Sequence, residues 1–187
     1  MKFPRPILET LVNKGIETPT PIQIQGLPVG LSGRDMNGIA FTGSGKTLVF
    51  TLPMIMGALE EEMKVPIVSG EGPFALLLCP SRELANQTYE IIEQFTEALA
   101  KDGYPKLKTL LCIGGVAFRD QENLVRGGIH MVVATPGRLI HMLQNKKFTL
   151  NFCKHFVLDE AGTFLYFSKG YFGGVTTKNK LKNFLYV

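Results

Sequence analysis

Apolar residues along this chain come in two rhythms. Runs at 74–79, 107–113, 131–134 and 156–158, with a shorter one around Met36, Ile39 and Ala40, read as strands. Phe74-Ala75-Leu76-Leu77-Leu78-Cys79 is unbroken, as a strand covered on both faces should be. Between the runs lie segments of helical period. Pro4 and Pro6 open a short helix with Ile7, Leu8, Leu11 and Val12 on one face, stopped at Gly15. Thr20 is placed as N-cap of a second helix, with Pro21 at its first position. A third runs from about Lys46 towards Glu62, kinked or interrupted by Pro53, with Glu60-Glu61-Glu62 as a solvated end. Others follow Ser81 to about Ala100, span Phe118 to Val125, and start at Pro136 with Leu139, Ile140, Met142 and Leu143. Strand and helix alternate five times, which predicts an α/β fold with a doubly wound parallel sheet flanked by helices. In such sheets ligands bind at the carboxyl ends of the strands. The loops expected there are 41–47, 80–84, 114–115, 135–138 and 159–160.

Composition changes this picture little. The chain has 187 residues, roughly one domain, and at 45% hydrophobic it can bury a sizeable core. Cys79, Cys112 and Cys153 show no CxxC spacing and read as buried thiols of an intracellular protein. No run approaches 18 uncharged apolar residues and no signal-peptide core is evident, so no membrane role is expected. The net charge of +4 is not spread along the chain. Every acidic residue lies in 1–161, balanced by equal numbers of Lys and Arg; the excess is Lys169, Lys178, Lys180 and Lys182. A case for nucleic acid must therefore rest on specific residues.

The specific chemistry begins with Ala40-Phe41-Thr42-Gly43-Ser44-Gly45-Lys46-Thr47, between a strand and a helix. Gly43 and Gly45 let the backbone turn with its N–H groups inward, and the helix adds the positive end of its dipole. Lys46 would reach the β- and γ-phosphates, and the Thr47 hydroxyl would ligate Mg²⁺. The generic phosphate-loop pattern wants Gly at Ala40. Asp159 after a strand fits a Mg²⁺-holding carboxylate, with Glu160 beside it to orient or deprotonate a water. Together these imply Mg²⁺-dependent hydrolysis of a nucleoside triphosphate. Gln23 carries an amide suited to an adenine edge, and is equally an ordinary solvated helix residue. Arg82, Arg138, Thr135, Gly137, Gly114 and Gly115 are placed to contact a phosphate backbone. Equally, Arg82 could pair with Glu83 and the glycines could serve tight turns.

The segments Pro19-Thr20-Pro21-Ile22-Gln23, Ala40 to Thr47, Pro80-Ser81-Arg82-Glu83-Leu84-Ala85, Gly114-Gly115, Thr135-Pro136-Gly137-Arg138 and Asp159-Glu160-Ala161 resemble, in order and spacing, the motifs of DEAD-box RNA helicases. That family has Ala at the position of Ala40. Ile22-Gln23-Ile24-Gln25-Gly26, Ser32-Gly33-Arg34-Asp35-Met36 and Cys112-Ile113-Gly114-Gly115 look most like its abstrakt type, which is linked to splicing. The resemblance covers about 1–161 and implies an N-terminal RecA-like ATP-binding domain, with ATP and Mg²⁺ as cofactors. It assigns Gln23 to adenine, residues Thr42 to Thr47 to the phosphates and Mg²⁺, Asp159 and Glu160 to Mg²⁺ and water activation, and Lys46 to catalysis. It assigns Arg82, Gly115, Thr135, Gly137 and Arg138 to the RNA backbone. Partners implied are RNA and spliceosomal or other helicase cofactors, and the implied location is nuclear, with the cytoplasm as the alternative.

Two departures qualify the resemblance. Gly162 stands where the Asp-Glu-Ala-Asp motif has its final Asp, and the likeness stops there. No second domain, with the arginine fingers the family draws from it, is read in these residues, and the expectation is a domain that by itself binds nucleotide weakly and turns over little. The family's adenine-stacking aromatic would precede Met1. Residues 162–187 hold four lysines, no acid and 7 of the 18 aromatics, and read as an irregular tail, from a retained intron or misjoined gene model or from a genuine isoform that stacks on nucleic acid. Without later strands, Phe156-Val157-Leu158 is expected to lack a neighbour, which predicts low stability and aggregation. Two other readings stay open: a catalytically dead nucleotide- or RNA-binding fragment, and another P-loop enzyme such as a kinase.

Overall fold

The protein is described by a computed structural model, which covers residues 3–116, 118–164 and 183–186. The elements in order are α1 (Arg5–Asn13), α2 (Pro21–Leu31), β1 (Met36–Asn37), α3 (Lys46–Lys64), β2 (Ala75–Leu78), α4 (Arg82–Lys101), β3 (Thr109–Cys112), α5 (Phe118–Arg126), β4 (Met131–Ala134), α6 (Pro136–Gln144), β5 (His155–Leu158), α7 (Ala161–Phe164) and β6 (Asn183–Tyr186). All ladders are parallel, in the order β1-β6-β5-β2-β4-β3.

The sheet separates two apolar layers because side chains alternate along a strand. Ala75, Leu77 and Cys79 face the layer that holds Phe50, Ile55, Ile92, Phe95 and Leu99 of α3 and α4. Leu76 and Leu78 face the layer of Leu139 and Met142 of α6, with Val125 of α5 and Phe148. Helices thus cover both faces, as the continuous apolar runs require. The three cysteines are free and buried, and burial pushes the Cys112 and Cys153 thiols up to about 12.

Two local expectations are corrected. Pro53 does not interrupt α3, which runs unbroken from Lys46 to Lys64. The ring is taken up by packing: a Cβ on Gly30 of α2 would stand 2.8 Å from Pro53 Cγ, so the two helices already touch there. The acidic end of α3 is not simply solvated either. Glu62 accepts from the Ile67 amide at 2.7 Å and lies 3.0 Å from the buried His130 ring, while Glu61 pairs with Lys154.

The open neighbour expected for β5 is a third correction. Asn183–Tyr186 form β6, which pairs with β5 on one side and β1 on the other. The register sets Val157 opposite Leu185 and Leu185 opposite Met36. Backbone groups on both sides of β6 are therefore satisfied within the sheet, and β5 is no edge. The rest of the irregular tail expectation, 165–182, lies outside the described residues.

This joint is testable. Leu185→Pro removes a ladder N–H from a central strand. We expect the midpoint of thermal unfolding to fall by about 6–12 °C, with amide exchange accelerated at Met36–Asn37 before Ala75–Leu78. An unchanged midpoint and exchange pattern would show that β6 does not join the strands in solution.

Candidate nucleotide and phosphate-backbone sites

The phosphate loop is built by the approach of two helices. Gln23, Gly26 and Gly30 occupy one face of α2 and meet Gly45, Val49 and Pro53, one turn apart each, on the loop and α3. A Cβ on Gly26 would stand 2.4 Å from Val49 Cγ1, so only glycine allows this spacing without a shift. One turn earlier, Gln23 is 4% exposed. Its Oε1 accepts from the Thr20 amide at 3.0 Å and its Nε2 donates to the Gly45 carbonyl at 3.1 Å. One N–H of the amide thus holds the loop and one lone pair ties down the start of α2, leaving one N–H and one lone pair for an adenine edge. The solvated-residue alternative for Gln23 does not hold.

The loop has the form an anion cradle needs. Gly43 and Gly45 have φ of 83° and 87°, and Gly45 caps α3. A Cβ on Gly43 would meet nothing within 4 Å, whereas one on Gly45 would strike Gln23 Nε2 at 2.4 Å. Ser44 is buried, and its Oγ has no hydrogen-bond partner among the described residues. An orphan hydroxyl beside a helix N-terminus and Lys46 fits a phosphate oxygen. The residues present therefore suit a nucleotide. Phe41 and Ile39 are 79% and 90% exposed beside it.

Asp159 and Glu160 leave β5 in contrasting states. The Asp159 amide donates to Leu78 O at 3.0 Å, which seats the turn beside β2. Its side chain is buried, and burial first, then the Glu160 charge, raise its pKa to about 6 against the opposing pull of Lys46. The Lys46 charge thus reaches Asp159, although the strands that lead to them are separated by β6. Glu160 is exposed and has φ 55°, a left-handed conformation costing a non-glycine residue on the order of 1–3 kcal/mol. Thr47 lies in the first turn of α3, and its carbonyl accepts from the Thr51 hydroxyl at 2.7 Å. One hydroxyl and one carboxylate are what Mg²⁺ takes from a protein when phosphates complete its shell. Gly162 sits in α7 with open space where a Cβ would be, so the backbone does not demand glycine there.

The second group gathers at the ends of β2, β4 and β3. Ser81 Oγ accepts from the Leu84 amide and starts α4. Arg82 then lies against the Gly114-Gly115 turn: a Cβ on Gly115 would be 3.2 Å from its Nη1. Among the described residues Arg82 makes no ion pair with Glu83. Thr135 caps α6, and its amide donates to Cys112 O at 3.1 Å. Gly137 is open, and Arg138 Nη2 donates to Val116 O at 3.1 Å. Arg82, Gly115, Thr135, Gly137 and Arg138 thus share one rim. Residues that the sequence did not single out are Gln121, which donates to Ile113 O beneath this rim, and the Gln23 to Gly45 bond. The first is hidden because a buried Gln in a polar helix carries no periodic signal; the second could be suspected from the Thr20 to Gln23 capping spacing.

Comparison with known proteins agrees with this geometry. The family model for DEAD/DEAH box helicase matches residues 20–177, past Ala161 where the motif likeness stops. "DEAD-box ATP-dependent RNA helicase 35" of Arabidopsis thaliana is 65% identical over 161 residues, 86% of this chain and 27% of that protein. "ATP-dependent RNA helicase abstrakt" of Drosophila melanogaster is 53% identical over 161 residues, 86% of this chain and 26% of that protein. The chain therefore spans about a quarter of these relatives. Among solved structures, the yeast DEAD-box splicing factor Prp28 superposes with a TM-score of 0.82 at 28% identity, over 99% of this chain and 44% of that one. The RNA-helicase Prp28 from Chaetomium thermophilum bound to ADP gives 0.80 at 29% identity, over 99% and 43%.

Asp159 supplies a test with a definite sign. The folded carboxyl takes up a proton near pH 6 and the unfolded one near 3.8, so wild-type stability rises as pH falls from 7 towards 4. Asp159→Asn removes the buried charge. It should stabilise the ligand-free protein by up to about 3 kcal/mol at pH 7, and the gain should vanish towards pH 4. Denaturant unfolding of both proteins across that range checks it; a variant less stable at pH 7 would contradict the burial argument.

Proposed function

The chain belongs to the DEAD/DEAH box helicase family, and we propose that it is the ATP-binding, RecA-like part of an ATP-dependent RNA helicase. The observation that carries this is the arrangement of one sheet's carboxyl ends. The phosphate loop and Asp159-Glu160 flank β6, and the Arg82–Gly115–Arg138 rim occupies β2, β4 and β3. A kinase would need only the first group.

Bound Mg²⁺·ATP supplies a γ-phosphoryl group for transfer to water. The chain's own residues do the rest. Loop amides from Thr42 to Thr47 and the Lys46 ammonium bind phosphate charge, and the Ser44 hydroxyl gains the partner it lacks. Thr47 and Asp159 would hold a Mg²⁺ ion, whose charge would favour the ionised carboxylate that burial opposes. Exposed Glu160 accepts the proton of the attacking water. Gln23 keeps the loop in place and reads adenine with the remainder of its amide. On the other rim, Arg82, Arg138, the Thr135 hydroxyl and the amides of Gly115 and Gly137 hold an RNA backbone without reading its sequence. RNA is the proposed substrate, on the resemblance to relatives named RNA helicases; splicing partners are proposed on the resemblance to the splicing factor Prp28, and a nuclear location goes with that role alone.

Two variants test the two halves separately. Lys46→Ala should weaken Mg²⁺·ADP binding about tenfold to a hundredfold and leave oligo(U) binding unchanged. Arg138→Ala should weaken every RNA sequence alike and reduce the salt slope by about 0.7. Sequence-dependent loss, or loss of ADP with Arg138→Ala, would contradict the division of labour.

A further inference from the structure

The loop that carries Gly115 leaves an edge strand. Among the described residues β3 pairs with β4 alone, so its last carbonyls have a ladder on one side. Cys112 O is taken by the Thr135 amide. Ile113 O, the next, accepts from Gln121 Nε2 of α5 at 3.0 Å. Gln121 is 2% exposed, and its Oε1 has no donor among the described residues. The amide leaves its own Oε1 unpaired, whereas an apolar side chain of the same size would leave Ile113 O unpaired instead, so the bond brings no clear gain in stability. What the amide achieves is local. It pins the root of the loop from α5, while Arg138 holds Val116 O at the tip and Arg82 lies along Gly114 and Gly115. Gly115 itself, at φ 92°, has no Cβ to resist a different conformation.

We propose that Gln121 is a positioning residue for RNA: it never touches the ligand, but fixes the Ile113–Val116 loop so that the Gly115 amide, Arg82 and Arg138 present one surface to a phosphate backbone. This rests on the reading that the rim binds RNA. It assigns to Gln121 the part that Gln23 plays at the phosphate loop, where a buried amide likewise holds a ligand loop by one carbonyl.

Gln121→Met in the full chain tests it. Methionine keeps the length and burial of the side chain while removing both the loop bond and the orphan acceptor. Binding of labelled single-stranded oligo(U) should weaken about five- to tenfold. Mg²⁺·ADP affinity and the thermal midpoint should stay unchanged, and amide exchange at 113–116 should accelerate. Gln121→Leu, which likewise has no donor for Ile113 O, should show the same split. Unchanged oligo(U) affinity in both variants, or parallel losses of RNA binding, ADP binding and thermal midpoint, would overturn the inference. A wild type that fails to bind oligo(U) would overturn the RNA reading itself and this inference with it.

Discussion

The close approach of α2 to α3 is the contact on which the nucleotide site depends. Gly26 and Gly30 let α2 lie against Val49 and Pro53, and that spacing brings Gln23 onto the Gly45 carbonyl. Gly45 then takes a left-handed conformation in which a Cβ would strike Gln23, and α3 begins at Lys46 and Thr47. Here a sequence feature of one helix sets the geometry of a loop 22 residues away. A proline in the middle of α3 is part of the same seam and not a break in it.

The sheet distributes two chemistries. The residues proposed for nucleotide lie at the ends of β1 and β5, joined by β6, and those proposed for a phosphate backbone at the ends of β2, β4 and β3. The halves meet between β5 and β2, where the Asp159 amide bonds to Leu78 O. Cys79, the next residue of that chain, feels the Asp159 charge, and Pro80 and Ser81 lead directly to Arg82. The Asp159-Glu160 turn and Arg82 are thus joined by one backbone hydrogen bond and a short stretch of chain. Glu160, held at positive φ, is the element of that turn with strain to release.

Much of this was legible in the residues because it is local. Apolar runs marked five strands, Thr20-Pro21 and Ser81 marked helix starts, and Gly-Ser-Gly-Lys-Thr marked the loop that leads into α3. What was not legible depends on contacts between distant segments. Nothing in the sequence of α2 says that Gly30 will meet Pro53. Gln121 has an unremarkable polar neighbourhood, and its importance comes from the unpaired edge of β3. β6 escaped for a different reason: Asn183-Phe184-Leu185-Tyr186 lies beyond the family likeness, yet it supplies what a parallel sheet asks for at that place, a short strand pairing on both sides.

The central claim is that the phosphate loop and the Asp159-Glu160 turn, on strands that do not pair with each other, form one metal-nucleotide site. Amide hydrogen exchange during titration with Mg²⁺·ADP tests it directly. The account predicts slower exchange at 42–47 and at 158–160 over the same ligand concentrations. Protection of 42–47 alone, with 158–160 unchanged at saturation, would contradict it.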